Sequence, residues 1–221
     1  MARMSSGQIT QLPPIDSDGP GGAAHHGGAD HPMRTITRQI AFDGRWDAKM
    51  RAEVTELFTQ LAPQWDESRR TPERVAALDD AFIRTDLSMS NARCLELGAG
   101  TGIFSHALAE RCGRVTSVDI TAAMVSQVNP DDADRVVGDG SGLPFSDDCF
   151  ACAVLVNMFL FAAELDRVVA PGGSVVWFNS RGEHTPIHLT TREVADALPG
   201  VWSGYESRRG TATWAVLTRD S

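Results

Sequence analysis

The sequence predicts a doubly wound α/β fold: a mostly parallel sheet with helices on both faces, preceded by N-terminal helices. Three observations indicate this class. From residue 92 onward, short apolar segments alternate with helical patterns. The first of these segments runs into a glycine-rich stretch at residues 98–102. Two final strand patterns, residues 201–208 and 211–218, can pair as an antiparallel edge hairpin across Arg209-Gly210.

Composition limits the classes of function. The chain has 221 residues, a formal net charge of -9 and 42% hydrophobic residues, as in an ordinary globular protein of one large domain or two small ones. The negative charge argues against a nucleic-acid binder, which normally carries a basic face. The most apolar stretch, residues 150–163, is shorter than a membrane span and contains Asn157. With no apolar run of the kind found in signal peptides near the N-terminus, we expect a cytoplasmic protein without a membrane span.

The chain divides into three parts. Residues 1–33 are rich in glycine and proline and lack apolar periodicity, which predicts a disordered tail. Residues 34–90 are expected to form a helical cap, because apolar residues recur at helical spacing over 45–62 and 72–85. Residues 91–221 carry the α/β pattern and form the third part.

The third part alternates between strands and helices. Strands are predicted at residues 93–97, 115–118, 135–137, 149–156 and 174–178, and helices at 103–108, 121–128, 164–169 and 191–198. Gly113 is interpreted as the residue that caps the first of these helices. Cys149 and Cys152 match a CxxC pattern, but residues three apart on a strand point to opposite faces. We therefore expect buried cysteines and no metal site.

The glycine-rich stretch Leu95-Glu96-Leu97-Gly98-Ala99-Gly100-Thr101-Gly102 is the strongest functional signal. It lies where the first strand gives way to a helix, and open α/β sheets bind ligands at the carboxyl ends of their strands. Glycines there allow positive φ and let a ligand approach the backbone. We expect free N–H groups at the helix start that suit an anion. The alternative interpretation is a tight turn that binds nothing.

Polar side chains end the next three strands. Asp119 follows the second strand and can accept hydrogen bonds from both ribose hydroxyl groups, as in dinucleotide folds. Asp139 follows the third strand and could accept from an adenine amine, although a turn aspartate before Gly140 is the alternative. Asn157 ends the fourth strand at the same edge.

Residues 92–180 resemble class I S-adenosylmethionine-dependent methyltransferases, in particular the group related to ubiquinone and menaquinone biosynthesis. The matching pieces are the glycine-rich stretch, Val118-Asp119-Ile120-Thr121 with Met124, Gly138-Asp139-Gly140 leading to Leu143-Pro144-Phe145, and residues 164–173. The resemblance implies S-adenosyl-L-methionine as cofactor and a seven-stranded, Rossmann-like sheet of order 3-2-1-4-5-7-6. It also implies a set of cofactor-binding residues: Glu96, Gly98, Ala99, Gly100, Gly102, Asp119, Ile120, Asp139, Gly140 and Asn157.

The resemblance says less about the acceptor, which we expect to be a small molecule methylated on oxygen or carbon. Trp65 lies where the family usually has an aromatic residue over the active site, and His184 follows the fifth strand on the same side. These two are the candidate substrate contacts, and no catalytic residue is assigned. Only 13 residues separate Asn157 from Pro171, fewer than usual. A lid would therefore come from the N-terminal helices, from the second subunit of a homodimer, or from the substrate.

Two alternative functions remain at this point, and a third, methylation of nucleic-acid bases, is not supported. Asn157-Met158-Phe159-Leu160 lacks the Pro-Pro-Tyr that follows asparagine in amino-methyltransferases acting on nucleic-acid bases, so that substrate is not supported. A nicotinamide-dependent oxidoreductase shares the fold but needs G-x-G-x-x-G, whereas the chain has G-x-G-x-G with Ser105 in the last place. A non-catalytic module that binds the cofactor and acts through a partner would keep the same motifs.

Overall fold

The structure is a computed structural model that describes residues 7–16 and 31–220. The helices are α1 (Pro32–Asp43), α2 (Ala48–Leu61), α3 (Pro72–Arg84), α4 (Ser105–Ala109), α5 (Ala122–Val125), α6 (Ala162–Val168) and α7 (Thr191–Ala197). The strands are β1 (Ile9–Gln11), β2 (Met89–Leu97), β3 (Cys112–Asp119), β4 (Asp134–Val137), β5 (Phe150–Val156), β6 (Val169–Asn179), β7 (Trp202–Arg209) and β8 (Ala212–Arg219). Short 3₁₀ helices cover Ala62–Gln64, Asp66–Ser68 and Gly182–His184.

One sheet of eight strands runs through the molecule in the order β1-β7-β8-β6-β5-β2-β3-β4. Strands β2 to β6 pair in parallel, and β8 pairs antiparallel with both β6 and β7. Seven of the strands stand in the predicted 3-2-1-4-5-7-6 order, so the predicted fold class is confirmed. The eighth strand, β1, adds to the predicted sheet at the hairpin edge.

The prediction of a disordered tail is wrong for the described part of residues 1–33. Ile9–Gln11 pairs in parallel with Gly204–Glu206, and the N–H of Leu12 donates to Glu206 O at 2.9 Å. The exposed edge of β7 offers unpaired backbone groups to any short extended segment. Such pairing uses backbone hydrogen bonds and needs no apolar periodicity, so the composition of the segment did not indicate strand β1. Residues 17–30, with His25 and His26, lie outside the described residues.

The helical cap is largely as expected, with one helix more than the pattern predicted. Helices α2 and α3 lie within the predicted ranges 45–62 and 72–85. Helix α1 begins after His31, whose side chain accepts from the N–H of Met33 at 3.2 Å. It buries Ile40 and Ala41 and ends at Gly44, which has a φ of +63°. Among the described residues, no helix has the length and apolar character that a bilayer crossing requires.

Gly113 does not cap a helix. Helix α4 is short and ends at Ala109, and Gly113 lies inside strand β3. A Cβ at Gly113 would lie 3.0 Å from the backbone of Ser90 and Asn91, so glycine lets β3 approach the start of β2 closely. The correction comes from strand packing, which local sequence does not reveal.

The core lies on both faces of the central strands. In β5, Ala153 and Leu155 pack with α1, α6 and α7, whereas Cys152 and Val154 pack on the other face with α3 and α4. This alternation is the period of two expected of a strand, and burial on both faces explains its continuous apolar sequence.

Leu155→Ala should lower the free energy of unfolding by about 2–5 kcal/mol, because it leaves a cavity at a fully buried position. Urea unfolding would measure the change. The matched control is Ile83→Ala on α3, where the side chain is 66% exposed and the expected loss is below about 0.5 kcal/mol. Equal losses at the two positions would contradict the assigned core.

Candidate functional site

A cavity of about 670 Å³ lies at the carboxyl ends of the parallel strands, beneath the N-terminal helices. This volume is in the usual range for small-molecule sites. Most predicted cofactor residues border it: Glu96, Gly98, Ala99, Gly100, Asp119, Ile120, Asp139, Gly140 and Asn157. Gly102 does not border it. The sheet topology therefore gathers residues from the ends of four strands into one pocket.

The glycine loop connects β2 to α4 through three residues of positive φ. These are Gly98 at +74°, Gly100 at +56° and Gly102 at +79°. A Cβ at Gly102 would lie 3.0 Å from Ser105 Oγ, so the turn needs glycine at this position for close packing. Gly102 does not face the cavity. At Gly98, a Cβ would overlap the side chain of Met158, which packs directly on the loop.

Most N–H groups of the loop are not free, contrary to the expectation of an open anion site. Gly98 and Ala99 donate to Val118 O at 2.8 and 3.0 Å, and Gly102 donates to Ala99 O at 3.0 Å. Gly100 donates to Asp119 Oδ2 at 2.9 Å. Strand β3 pairs with β2, so its last two residues lie beside the loop and accept from Gly98, Ala99 and Gly100.

Asp119 holds two backbone segments at once. Its Oδ2 accepts from Gly100, and its Oδ1 accepts from the N–H of Thr121 at 2.9 Å. Burial raises the pKa of Asp119, and the two N–H donors oppose that shift. Each carboxylate oxygen has a second lone pair, so both can still accept from ribose hydroxyl groups.

Asp139 binds the cap, a contact that sequence reasoning missed. Its Oδ1 accepts from Trp46 Nε1 at 3.0 Å and from the N–H of Ser141 at 2.9 Å. Its Oδ2 forms an ion pair with Arg51 Nε at 2.7 Å. Trp46 also packs against the rings of Phe159 and Phe161, so helix α2 and the segment before it close this side of the cavity. The Asp139 carboxylate thus joins the sheet to the cap.

Glu96 lies beneath the loop and is only 2% exposed. Its Oε2 accepts from Ser105 Oγ at 2.5 Å and from Ser117 Oγ at 2.6 Å. Burial raises the pKa of Glu96 to about 7, against the effect of the two hydroxyl donors. The carboxyl group therefore links β2, β3 and α4 below the cavity floor.

Asn157 directly follows β5, has a φ of +48° and joins the end of β5 to the end of β6 through Ser180. Its Nδ2 donates to Ser180 Oγ and its Oδ1 accepts from the N–H of Ser180, both at 2.9 Å. The amide is thus occupied within the protein, and only its position at the cavity wall matches the prediction.

The two predicted substrate contacts fare differently. Trp65 lines the cavity above the loop, with its Nε1 3.5 Å from the Cβ position of Gly100. It packs edge-on against Phe58 at a centroid distance of 5.4 Å. His184 is exposed and does not line the cavity, although Arg181 before it and Thr185 after it do. The structure therefore brings Trp65, but not His184, to the site.

Three arginines on the cavity wall were missed: Arg69, Arg74 and Arg181. The adjacent residues Arg69 and Arg70 have different environments. Arg70 pairs with Asp66 at 2.9 Å, whereas Arg69 lies 3.9 Å from the Trp65 ring centroid and lines the cavity. A signal existed in the position of Arg69 four residues after Trp65, on the same side of a helical turn.

Comparison with known proteins agrees with this geometry. Residues 95–177 match the family described as a methyltransferase domain. The solved complex of DhpI with SAH superposes with a TM-score of 0.62 at 20% identity, covering 79% of this chain and 99% of that one. The family match and the fold support the predicted resemblance to class I S-adenosylmethionine-dependent methyltransferases.

Two curated relatives are similar to this chain over part of their lengths. The biotin biosynthesis bifunctional protein BioHC of Cellvibrio japonicus is 28% identical over 179 residues, or 76% of this chain and 35% of the relative. A demethylmenaquinone methyltransferase of Mycobacterium sp. (strain KMS) is 27% identical over 136 residues, or 56% of this chain and 58% of the relative. The chain thus spans less than two thirds of either relative.

Replacing Glu96 by glutamine should change how stability depends on pH. The folded chain holds the Glu96 proton more tightly than the unfolded chain, whose carboxyl has a pKa of 4.5. Glu96 is therefore harmless at low pH and destabilises the fold as the pH rises through about 7. Between about pH 5 and about pH 8, Glu96→Gln should gain about 2–3 kcal/mol relative to the wild type in urea unfolding. A constant difference would show that the proton is not held there.

Gly98→Ala should lower the free energy of unfolding by about 1–2 kcal/mol or more, because alanine is strained at positive φ and its methyl group overlaps Met158. The control is Gly142→Ala, where no neighbouring atom lies within 4 Å of the new methyl group. Thermal and urea unfolding of the two variants would be compared. The loop geometry is refuted if Gly98→Ala is as stable as the control.

Proposed function

We propose that the chain transfers a methyl group from S-adenosyl-L-methionine to a small organic acceptor. The observation that carries this is the placement of the glycine loop, Asp119 and Asp139 on the wall of one cavity, at the ends of β2, β3 and β4. The domain family and the fold support the same activity.

The residues present fit the cofactor. Asp119 is proposed to accept from the ribose hydroxyl groups and Asp139 to lie near the adenine amine. Gly98 and Gly100 leave room for the methionine part to lie on the loop, and Gly140 is needed because a Cβ there would be 2.5 Å from the Phe161 ring. The remaining predicted contacts are Glu96, Ala99, Gly102, Ile120 and Asn157, of which Glu96 and Gly102 act beneath the loop or behind it.

The cofactor supplies an already activated methyl group, so the protein's task is to align the acceptor and exclude water. Helix α2 and the aromatic side chains of Trp46 and Trp65 cover the cavity and supply the lid that the short segment after Asn157 does not. A general base is needed only where the acceptor must first lose a proton. We assign no residue to that role.

The acceptor is proposed to be aromatic or quinone-like, methylated on oxygen or carbon. The family resemblance supports this, as does the similarity to demethylmenaquinone methyltransferases. The apolar side chains on the cavity wall, among them Val54, Phe58 and Ile187, suit such a body. We further propose a cytoplasmic enzyme that acts on a free small molecule, not on nucleic acid, and that works alone or as a homodimer.

Experiments can distinguish this function from the two alternatives, a nicotinamide-dependent oxidoreductase and a non-catalytic module that binds the cofactor. Stabilisation of the fold by S-adenosylhomocysteine and not by NADH, measured by thermal unfolding, would exclude the nicotinamide enzyme. Transfer of a labelled methyl group to hydroxylated aromatics or quinols would exclude the non-catalytic module. Cofactor binding with no transfer to any acceptor tried would favour that module.

Asp119→Asn should weaken S-adenosylhomocysteine binding by about 1–3 kcal/mol, because it removes charge-assisted hydrogen bonds to the ribose. Titration calorimetry would measure the dissociation constant. The control, Asp131→Asn, changes an exposed aspartate in the turn before β4 and should leave binding unaltered. An unchanged constant for Asp119→Asn, in a variant that is folded, would refute the ribose assignment.

A further inference from the structure

His31 lines the cavity from the cap, at the position just before helix α1. Its Nδ1 accepts a hydrogen bond from the N–H of Met33 at 3.2 Å. A ring nitrogen that accepts a hydrogen bond carries no proton, so the proton of this imidazole is on Nε2. The helix cap therefore fixes which nitrogen of His31 is the donor.

The Nε2–H group of His31 is left for a ligand. Among residues 7–16 and 31–220, the hydrogen bond at Nδ1 is the only one that the His31 side chain makes. Because Nδ1 is turned toward the backbone of α1, Nε2 on the opposite edge of the ring is the nitrogen that a molecule in the cavity can reach. By contrast, the indole of Trp46 donates to Asp139 and the amide of Asn157 donates to Ser180.

Helix α1 holds His31 beside the segment that follows β6. One turn along the helix, Arg34 is only 8% exposed, and its Nη2 donates to Glu183 O. Its Nη1 lies 3.4 Å from His188 Nδ1. Residues 185–187 of the same segment line the cavity. His31 is therefore part of the wall on the β6 side.

The other end of α1 leads to the part of the cavity proposed for adenine. The helix has 12 residues and is about 18 Å long. Shortly after its end, Trp46 donates to Asp139, the acid proposed to lie near the adenine amine. In the sheet, β6 and β4 are on opposite sides of β2 and its glycine loop. His31 and the proposed adenine position are thus well separated, which leaves the space at His31 for the acceptor.

We propose that His31 donates its Nε2–H to a carbonyl oxygen of the acceptor and thereby selects acceptors that carry this group. This inference rests on the proposed function, since it names the chemical class of the acceptor. A carbonyl oxygen only accepts hydrogen bonds, so one donor is enough for it. A hydroxyl group would bring a proton of its own that needs a further partner, and the neighbouring wall residues Met33 and Ile187 offer none.

The main test compares two probes that differ in this oxygen. The probes 4-hydroxyacetophenone and 4-ethylphenol share the ring, the hydroxyl group and nearly the same size, but only the first has a carbonyl group. With the protein saturated with S-adenosylhomocysteine, titration calorimetry should show that the ketone binds about threefold to tenfold more tightly, as expected for one neutral hydrogen bond. Equal binding of the two probes, or binding of neither, would overturn the proposal.

Two substitutions separate the ligand contact from the helix cap. His31→Asn keeps an oxygen that can accept from Met33, since asparagine is a good N-cap residue, but its side chain is too short to reach the position of Nε2. It should abolish the preference for the ketone and leave the melting temperature near that of the wild type. His31→Gln places an amide N–H near the position of Nε2 but caps the helix poorly. It should keep part of the preference in a less stable protein.

The variants also define the results that contradict the proposal. A ketone preference that survives His31→Asn would overturn it. Loss of the preference in both variants, in proportion to their loss of stability, would assign His31 to the helix cap alone. The matched control is His106→Asn on α4, because this exposed histidine pairs with Asp132 and does not line the cavity. The control should bind both probes as the wild type does.

Nitrogen-15 spectra of the imidazole groups test the position of the proton directly. The signals of His31, assigned by their absence in His31→Asn, should show a proton on Nε2 and none on Nδ1. Addition of 4-hydroxyacetophenone should shift the Nε2 signal. A proton on Nδ1, or an Nε2 signal that the bound ketone does not move, would overturn the proposal.

The rival assignment is that His31 binds the cofactor. Under the proposal, His31→Asn changes the affinity for S-adenosylhomocysteine by less than about twofold. A larger loss would assign His31 to the cofactor and overturn the acceptor contact. If the wild type binds no S-adenosylhomocysteine, the proposed function fails. If it binds this compound but shows no preference for the ketone, only the contact of His31 fails.

Discussion

The geometry of the site depends on one carboxylate, that of Asp119. Its two oxygens bind the N–H groups of Gly100 and Thr121, and so fix the glycine loop of one strand to the end of the next. Together with the hydrogen bonds from Gly98 and Ala99 to Val118 O, this link holds a loop in which three residues have positive φ. The same carboxylate is the one proposed to bind ribose, so the group that shapes the floor is also the group that recognises the ligand.

Other charged side chains surround this link. Glu96 lies under the loop and accepts from two serine hydroxyl groups, while Asp139 binds the cap through Trp46 and Arg51. The guanidinium groups of Arg69, Arg74 and Arg181 also line the cavity. The wall therefore carries both acidic and basic groups among its apolar side chains.

Sequence reasoning predicted what local patterns encode. The strands followed from apolar periodicity, and the position of Asp119 followed from its place at the end of the second strand. The strand order came from the family resemblance. Sequence reasoning could not find β1, because backbone hydrogen bonds to β7 hold that strand and leave no pattern in the side chains. It could not find the arginine cluster either, because Arg69, Arg74 and Arg181 meet only after folding. Arg69 and Arg70 show that adjacent identical residues can have different environments, because Arg69 stacks on Trp65 whereas Arg70 pairs with Asp66.

The hydrogen bonds of Asp139 have a consequence for how a nucleotide would be received. Both lone pairs of Oδ1 are taken by the Trp46 indole and the Ser141 amide, which leaves one acceptor position on Oδ2 beside Arg51. An adenine amine must either share that position or displace the indole. In the second case the purine and the Trp46 indole compete for one oxygen of Asp139. The affinity for the nucleotide then reflects the adenine hydrogen bond minus the indole hydrogen bond that it replaces.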